Sequence, residues 1–425
     1  MSQSASSTSR AWSVVIAALG INLVLGSLYA WPIIGKALVG QWHWSKTDAA
    51  LPFSISTAAF AFTMIFAGRL QDKVGPKLVA LLGGLAFGAG MFVSSWAHTP
   101  SVMALTFGVL GGMGIGLCYS ATTPPAVKWF SPGRKGLIMG IVVAGVGLAP
   151  VYVAPLTTAL LKLTNDTAIS IPNTFAYLGV GAIAAISILS LILTNPPAGY
   201  TPVPMASSGA SRSKGPVSHS RDVSPSQMLK TRQFYQLWFM LLLGASAGLM
   251  IIAHLGTIAK EQAKFDTSAY IAVALLAIFN TLGRIISGGV SDRLGRTQTL
   301  ILAFVLQAAN MFVFVHYTSA TMLLFGACFT GLCYGTIFPL MPAAIADYYG
   351  VKNLGMNYGL LFTAFGIAGV CGPIVGGMVR DAYGSFSLSY IITGAMLLAG
   401  AALAFATRPP KVAVEPVPEV AQSVR

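Results

Sequence analysis

The sequence predicts an all-α membrane protein, with twelve transmembrane helices in two pseudo-symmetric six-helix bundles and both termini in the cytoplasm. Three observations predict it. Of 425 residues, 55% are hydrophobic and only 8% are charged, whereas soluble domains carry about 25% charged residues. The apolar residues collect in stretches of about 20, the length a helix needs to cross a bilayer. These stretches form two sets of six, and the sets repeat one another in sequence.

The first set lies near 12–36, 48–69, 77–97, 101–123, 135–161 and 172–194, after a polar cytoplasmic tail at 1–11. The second lies near 234–259, 268–291, 298–317, 320–346, 356–379 and 386–406. Each must be helical, because backbone groups in hydrocarbon have only one another to bond. The 46 glycines suit this, since small residues let membrane helices approach closely. The bundles therefore occupy 12–194 and 233–407. Residues 195–232, rich in Ser, Pro and Gly (MASSGASRSKGPVSHSRDVSPSQ), read as a flexible cytoplasmic linker. Residues 408–425 read as a disordered cytoplasmic tail.

Loop charge gives the orientation. The loop after span 2, GRLQDKVGPK, holds Arg69, Lys73 and Lys77; the next basic loops hold Lys128, Arg134 and Lys135, then Arg293 and Arg296. The loops SSWAHTPS and HYTSA between them hold no Lys or Arg. The basic set faces the cytoplasm. The net charge of +14 is scattered through such loops and tails, without a basic domain interleaved with aromatics, so it argues against nucleic acid. The four cysteines, Cys118, Cys328, Cys333 and Cys371, lie inside spans and none has CxxC spacing, which indicates neither a disulfide framework nor a metal site.

The repeat aligns GRLQDKVGPK with GGVSDRLGRT, and so Asp72 with Asp292. GLCY recurs at 116–119 and 331–334, and KGLIMGIVVAGVGLAP is echoed by YGLLFTAFGIAGVCGP. A duplicated six-helix unit implies two bundles around a central site near the membrane midplane.

FNTLGRIISGGVSDRLGR places Arg284 several residues inside span 8. An arginine at a helix centre costs about 2.5–3.5 kcal/mol on insertion scales, so it should face a cavity or a partner. No Asp or Glu lies mid-span; Asp48, Asp72, Asp166, Asp266, Asp292, Asp347 and Asp381 all sit at ends or in loops. The depth argues against a snorkelling or structurally paired arginine. A guanidinium fork suits one carboxylate held by two parallel hydrogen bonds. The spans carry no metal-protease motif, nucleophile elbow or phosphate loop, so no enzyme, cofactor or metal is expected.

GRLQDKVGPK and SDRLGR resemble the paired loop signature of the major facilitator superfamily, and the likeness in architecture covers nearly the whole chain. Physically, Asp72 with Arg69, and Asp292 with Arg293 and Arg296, could form a gating latch at the helix ends. A narrower resemblance is to the monocarboxylate transporter and oxalate:formate antiporter group, and within it to bacterial lactate carriers. It is carried by GSLYAWP (26–32), KWFSPGRKGLIMGIVVAG (128–145) and FNTLGR (279–284). The resemblance implies that Arg284 binds a substrate carboxylate.

Asn280, one turn before Arg284, shares its helix face and could hold the guanidinium or the anion. It replaces an aspartate that the animal carriers are thought to use in proton coupling. Tyr119 and Tyr334, at equivalent places in the repeated GLCY, are expected to present phenols from opposite halves, and Tyr29 is a similar candidate. Oxalate carriers of this group have a lysine where Phe365 stands and a glutamine where Leu28 stands. Leu28, Phe362 and Phe365 would therefore wall an apolar pocket, since a second carboxylate left without partners would cost several kcal/mol. His254 is a candidate proton carrier; Lys36 reads as a cation at the outer end of span 1. The expected activity is transport of lactate, pyruvate or a close analogue by alternating access, by a monomer in the inner (plasma) membrane, with a proton as the candidate co-substrate. Oxalate:formate exchange is the alternative, and a non-transporting nutrient receptor is the rival class.

Overall fold

The computed structural model describes residues 2–162, 167–197, 199–200, 222–264 and 269–410. Among these residues are twelve helices long and apolar enough to cross a membrane. They are α1 (Thr8–Gln41), α2 (Thr47–Val74), α3 (Pro76–Trp96), α4 (Pro100–Lys128), α5 (Lys135–Lys162) and α6 (Ile171–Ser190) in the first half. The second half comprises α7 (Arg232–Glu261), α8 (Ile271–Leu294), α9 (Arg296–Phe314), α10 (Ala320–Tyr349), α11 (Leu354–Tyr383) and α12 (Ser387–Ala406).

The first helix departs from the expected boundaries. Helical structure begins at Ser2 and continues through the residues expected to form a polar tail. The helix then tightens into a 3-10 turn at Gly26–Ala30 and resumes at Trp31–Gln41, with Pro32 in its first turn, where a missing N–H costs nothing. Leu28 and Tyr29 lie on that tightened turn. The turn packs on α5 so closely that a side chain at Gly26 would collide with Ala149. The Trp31 indole N–H donates to the Ala49 carbonyl at 2.8 Å, pinning α1 to α2.

The described ends of the expected linker are anchored. Tyr200 stacks edge-on against Trp129, with ring centroids 5.0 Å apart. At the other end Val223 is buried; its N–H donates to Tyr349 O at 2.9 Å, and its carbonyl accepts from Asn353 at 3.1 Å. A one-turn helix, Pro225–Met228, follows and is closed by a capping box from Ser224 and Gln227. Apolar anchors inside a polar stretch are what composition averaging hides. Residues 201–221 and 411–425, together with Asp166 and Asp266, lie outside the described residues.

The halves meet along two symmetric seams, α5 against α8 and α2 against α11. Glycines set both. A Cβ at Gly136 would strike the Gly288 carbonyl, and one at Gly140 the Arg284 carbonyl. On the other seam, Gly355 and Gly68 face each other's carbonyls, and Gly359 faces that of Met64. Backbone-to-backbone approach of this kind is how membrane helices gain packing energy without a hydrophobic driving force.

Candidate functional site

Arg284 lies on α8 about 15 Å from that helix's inner end, at 1.5 Å per residue. The basic-loop end is called inner here. The side chain is 1% exposed and is the largest fully buried one among the described residues. It turns neither to lipid nor to the inner surface. Nη1 donates to the Val143 carbonyl of α5 at 2.6 Å, crossing from one half to the other. Nε donates to Asn280 Oδ1 at 3.1 Å, one helical turn away. The guanidinium carbon sits 4.3 Å from the centre of the Phe338 ring. Among the described residues no carboxylate pairs with it.

Those contacts have recognisable magnitudes. A hydrogen bond to a charged group contributes about 1.5–3 kcal/mol, and a desolvated cation–π contact about 2 kcal/mol. Together they offset much of the several kcal/mol that burying a cation costs after relaxation. The approach to Val143 depends on Gly147, one turn later on α5. A Cβ there would lie 3.3 Å from Arg284 Nε and 2.9 Å from Thr281 Oγ1.

An aromatic cluster extends from the guanidinium. Phe338 lies 5.1 Å from Tyr334 and 5.6 Å from Phe365. Phe365 lies 4.9 Å from Phe362, which in turn touches Tyr119 at 5.4 Å, Tyr358 at 5.5 Å and Phe60 at 5.2 Å. Tyr29, Tyr119, Tyr334 and Tyr358 all stand within electrostatic reach of Arg284. The Tyr334 hydroxyl is buried without a hydrogen-bond partner, and the Tyr358 ring lies beside that of Tyr119, with centroids 6.5 Å apart. The arrangement is one cation, several phenols and an apolar wall, closed from solvent and built from both halves. It can take up one negative charge and an apolar tail.

The sequence-derived residues separate as follows. Arg284, Asn280, Tyr119, Tyr334, Phe362 and Phe365 come together, with Tyr29 nearby. Leu28 is half-buried on the 3-10 turn and packs on the apolar core. His254 stands apart on the outer part of α7, where its Nε2 is 2.9 Å from the Pro373 carbonyl and its ring 5.1 Å from Phe386. Because a carbonyl only accepts, Nε2 carries the proton there. Lys36 is exposed near the outer end of α1.

Sequence reading missed Phe338, Phe60, Tyr358 and the Val143 carbonyl. Phe338 follows Tyr334 by one helical turn and shares its face, a signal that was available. Tyr358 likewise precedes Phe362 by one turn. The role of Val143 is a backbone one, and no residue type announces it.

At the inner end the two signature aspartates each receive the start of a helix from the opposite half. Asp292 accepts the N–H groups of Gly136 and Leu137, at 2.9 Å each, at the first turn of α5. Asp72 accepts the Met356 N–H at 3.2 Å at the first turn of α11. A carboxylate at a helix N-terminus meets unpaired N–H groups and the positive end of the helix dipole. Arg296 extends the first contact, bonding Asp292 at 2.7 Å and Asp347 at 2.9 Å. Lys135 from the first half reaches Asp347 at 3.2 Å. Arg69 and Arg293, expected in the latch, are exposed side chains; Lys135 and Asp347 are its additional members.

The sequence matches the Major Facilitator Superfamily profile over residues 11–320 and again over 281–424. The chain belongs to the Major Facilitator Superfamily. It is a multi-pass membrane protein and a secondary active transporter of a small solute, not an enzyme. Among superfamily relatives it is similar to an uncharacterized MFS-type transporter, YhjX, of Escherichia coli strain K12, at 27% identity over 85% of this chain and 86% of that one. It is 25% identical to the oxalate:formate antiporter of Oxalobacter formigenes, over 89% and 87% of the two chains. It is 26% identical to monocarboxylate transporter 13 of Rattus norvegicus, over 92% and 87%. These relatives do not single out one cargo. Of solved superfamily structures, the human organic anion transporter MFSD10 superposes with a TM-score of 0.68 at 15% identity, over 93% of this chain and 99% of that one. The Escherichia coli fucose:proton symporter FucP gives 0.66, also at 15% identity, over 93% and 98%. At that identity the likeness speaks for the fold alone.

Proposed function

We propose that this transporter carries a small monocarboxylate, such as lactate, pyruvate or a close analogue, by alternating access. One observation carries the reading. A fully buried arginine stands at the seam between the halves, with no acidic partner among the described residues and an aromatic wall beside it. The guanidinium fork takes the carboxylate. Phenols from Tyr119 and Tyr334 supply further donors, and Phe362 and Phe365 accept the short apolar end. A second carboxylate on that wall would lose its hydration with nothing to replace it. Binding and closure favour each other, because a carboxylate compensates the cation that closure buries.

The further parts of the proposal are an inner (plasma) membrane location with both termini cytoplasmic, function as a monomer, and a co-transported proton. The proton travels on the bound carboxylate or on His254. The similarity to an oxalate:formate antiporter supports a second reading, small-anion exchange. Phe365 and Leu28, where that group's cationic and polar side chains stand, favour the first.

Competition decides between them. Purified protein in liposomes takes up labelled lactate while unlabelled pyruvate, formate, oxalate or acetate is offered in excess. Strong competition by pyruvate and none by oxalate is expected. Oxalate competing better than pyruvate would overturn the monocarboxylate reading.

A further inference from the structure

We propose that Asp222 and Val223, at the end of the linker, form part of the inner gate: docked on the second half, they present a carboxylate to Lys128 of the first half and so hold the α2/α11 seam closed. The inference rests on the alternating-access part of the reading above and is independent of the cargo.

The two seams are packed alike but not charged alike. On the α5/α8 seam, Arg296 bonds Asp292 and Asp347, and Lys135 of the first half reaches Asp347. The repeat gives the α2/α11 seam neither Arg296 nor Asp347. GRLQDKVGPK places Pro76 where Arg296 stands, and counting on from GLCY places Pro132 where Asp347 stands. Asp72 is left with the Met356 N–H, and its Oδ1 is buried without a hydrogen-bond partner. A carboxylate and a cation for this seam must come from elsewhere.

The linker brings the carboxylate. Val223 is 3% exposed; its N–H donates to Tyr349 O at 2.9 Å, and its carbonyl accepts from Asn353 at 3.1 Å and from Asn357 at 3.3 Å. These bonds to the corner between α10 and α11 fix the position of its neighbour, Asp222, whose Oδ1 accepts the Lys352 N–H at 3.0 Å. Lys128, half-buried at the end of α4, stands within electrostatic reach of both Asp72 and Asp222. Trp129 follows it, and Tyr200 from the other end of the linker packs there with ring centroids 5.0 Å apart. Both described ends of the linker thus return to the inner end of α4. One end is tied to the second half while its charge is set against the first. The halves can part at the inner side only by drawing Asp222 away from Lys128.

Hydrogen exchange of the purified protein, read at two places, tests this. The first turn of α11 adjoins Asp222. The first turn of α5 lies on the other seam, where the Gly136 and Leu137 N–H groups are held by Asp292 of the opposite half. Asp222→Asn keeps the acceptor for Lys352 and removes the charge. It should accelerate exchange at both places by about two- to fivefold, the effect of losing one partly exposed ion pair. Asp222→Glu should stay near the wild type, and in a Lys128→Gln background Asp222→Asn should have no further effect. In about 1 M salt, where exposed charges more than about 3 Å apart are screened, the difference between Asp222→Asn and the wild type should disappear. Acceleration at α11 alone would make Asp222 a local cap and overturn the inference, as would an undiminished effect in the Lys128→Gln background. Asp292→Ala is the control for the reading beneath. If it leaves α11 unchanged, the halves do not part as units, and alternating access falls together with the inference.

Discussion

Met64 is the counterpart of Arg284 under the internal symmetry of the fold. Each stands eight residues before its signature aspartate, Asp72 or Asp292. Each offers the carbonyl that a glycine of the opposite half approaches, Gly359 or Gly140. The duplicated architecture therefore carries its charge in one half only. An arginine at position 64 would be a second buried cation, with Phe60 one turn before it where Arg284 has the acceptor Asn280. Met64→Arg is expected to cost several kcal/mol and to fail as a monodisperse protein in size-exclusion chromatography. Met64→Leu, a volume-conserving change, should cost below about 1.5 kcal/mol and transport normally.

The two aspartate latches are not equal. Asp292 holds two N–H groups and Arg296, whereas Asp72 holds one N–H of good geometry. Arg296 keeps Asp347 when Asp292 is removed, so the loss is that of charge-assisted hydrogen bonds, about 1.5–3 kcal/mol each; losing the Asp72 cap should cost about 1–2 kcal/mol. Hydrogen exchange at the first turn of α5 is expected to accelerate strongly in Asp292→Ala. Exchange at the first turn of α11 should accelerate modestly in Asp72→Ala. The reverse order would show that the Arg296 network does not strengthen the gate.

The Tyr334 hydroxyl is buried without a partner, so its removal relieves an unsatisfied group. Tyr334→Phe is expected to leave the melting temperature unchanged or raised. If the phenol donates to the bound carboxylate, KM for lactate should rise about tenfold or more. An unchanged KM would remove Tyr334 from the site.

The twelve spans, the repeat and the buried arginine were legible because each rests on composition or spacing that lipid enforces. A charge in an apolar run is visible one residue at a time. The acceptors of that charge were not legible, since Val143 contributes a backbone carbonyl and lies 141 positions away from Arg284. The same holds for the latch: Lys135 and Asp347 are ordinary loop-end residues until folding brings them 3.2 Å apart. Arg69 and Arg293 share the motif but point outward, because neighbours along a helix face different directions. The anchors at the linker ends escape a sequence reading for a related reason. Val223 and Met228 are isolated apolar residues in a polar stretch, and only the fold gives them a surface to bury against.

His254 donates from Nε2 to the Pro373 carbonyl, a contact that a neutral amide can copy. If the proton travels on the bound carboxylate, His254→Gln should keep both the uptake rate and its pH profile, while His254→Leu should cost about 1 kcal/mol of stability. A pH profile displaced by the glutamine change would instead make His254 the proton carrier.

On the monocarboxylate reading, the Arg284 guanidinium is the sole electrostatic anchor for a single carboxylate. Lactate uptake by Arg284→Gln in liposomes, at matched protein density and with melting behaviour checked, tests it most directly. Loss of about a hundredfold or more is expected from removing two charge-assisted hydrogen bonds. Uptake by a well-folded Arg284→Gln variant with KM and rate near those of the wild type would rule out Arg284 as that anchor.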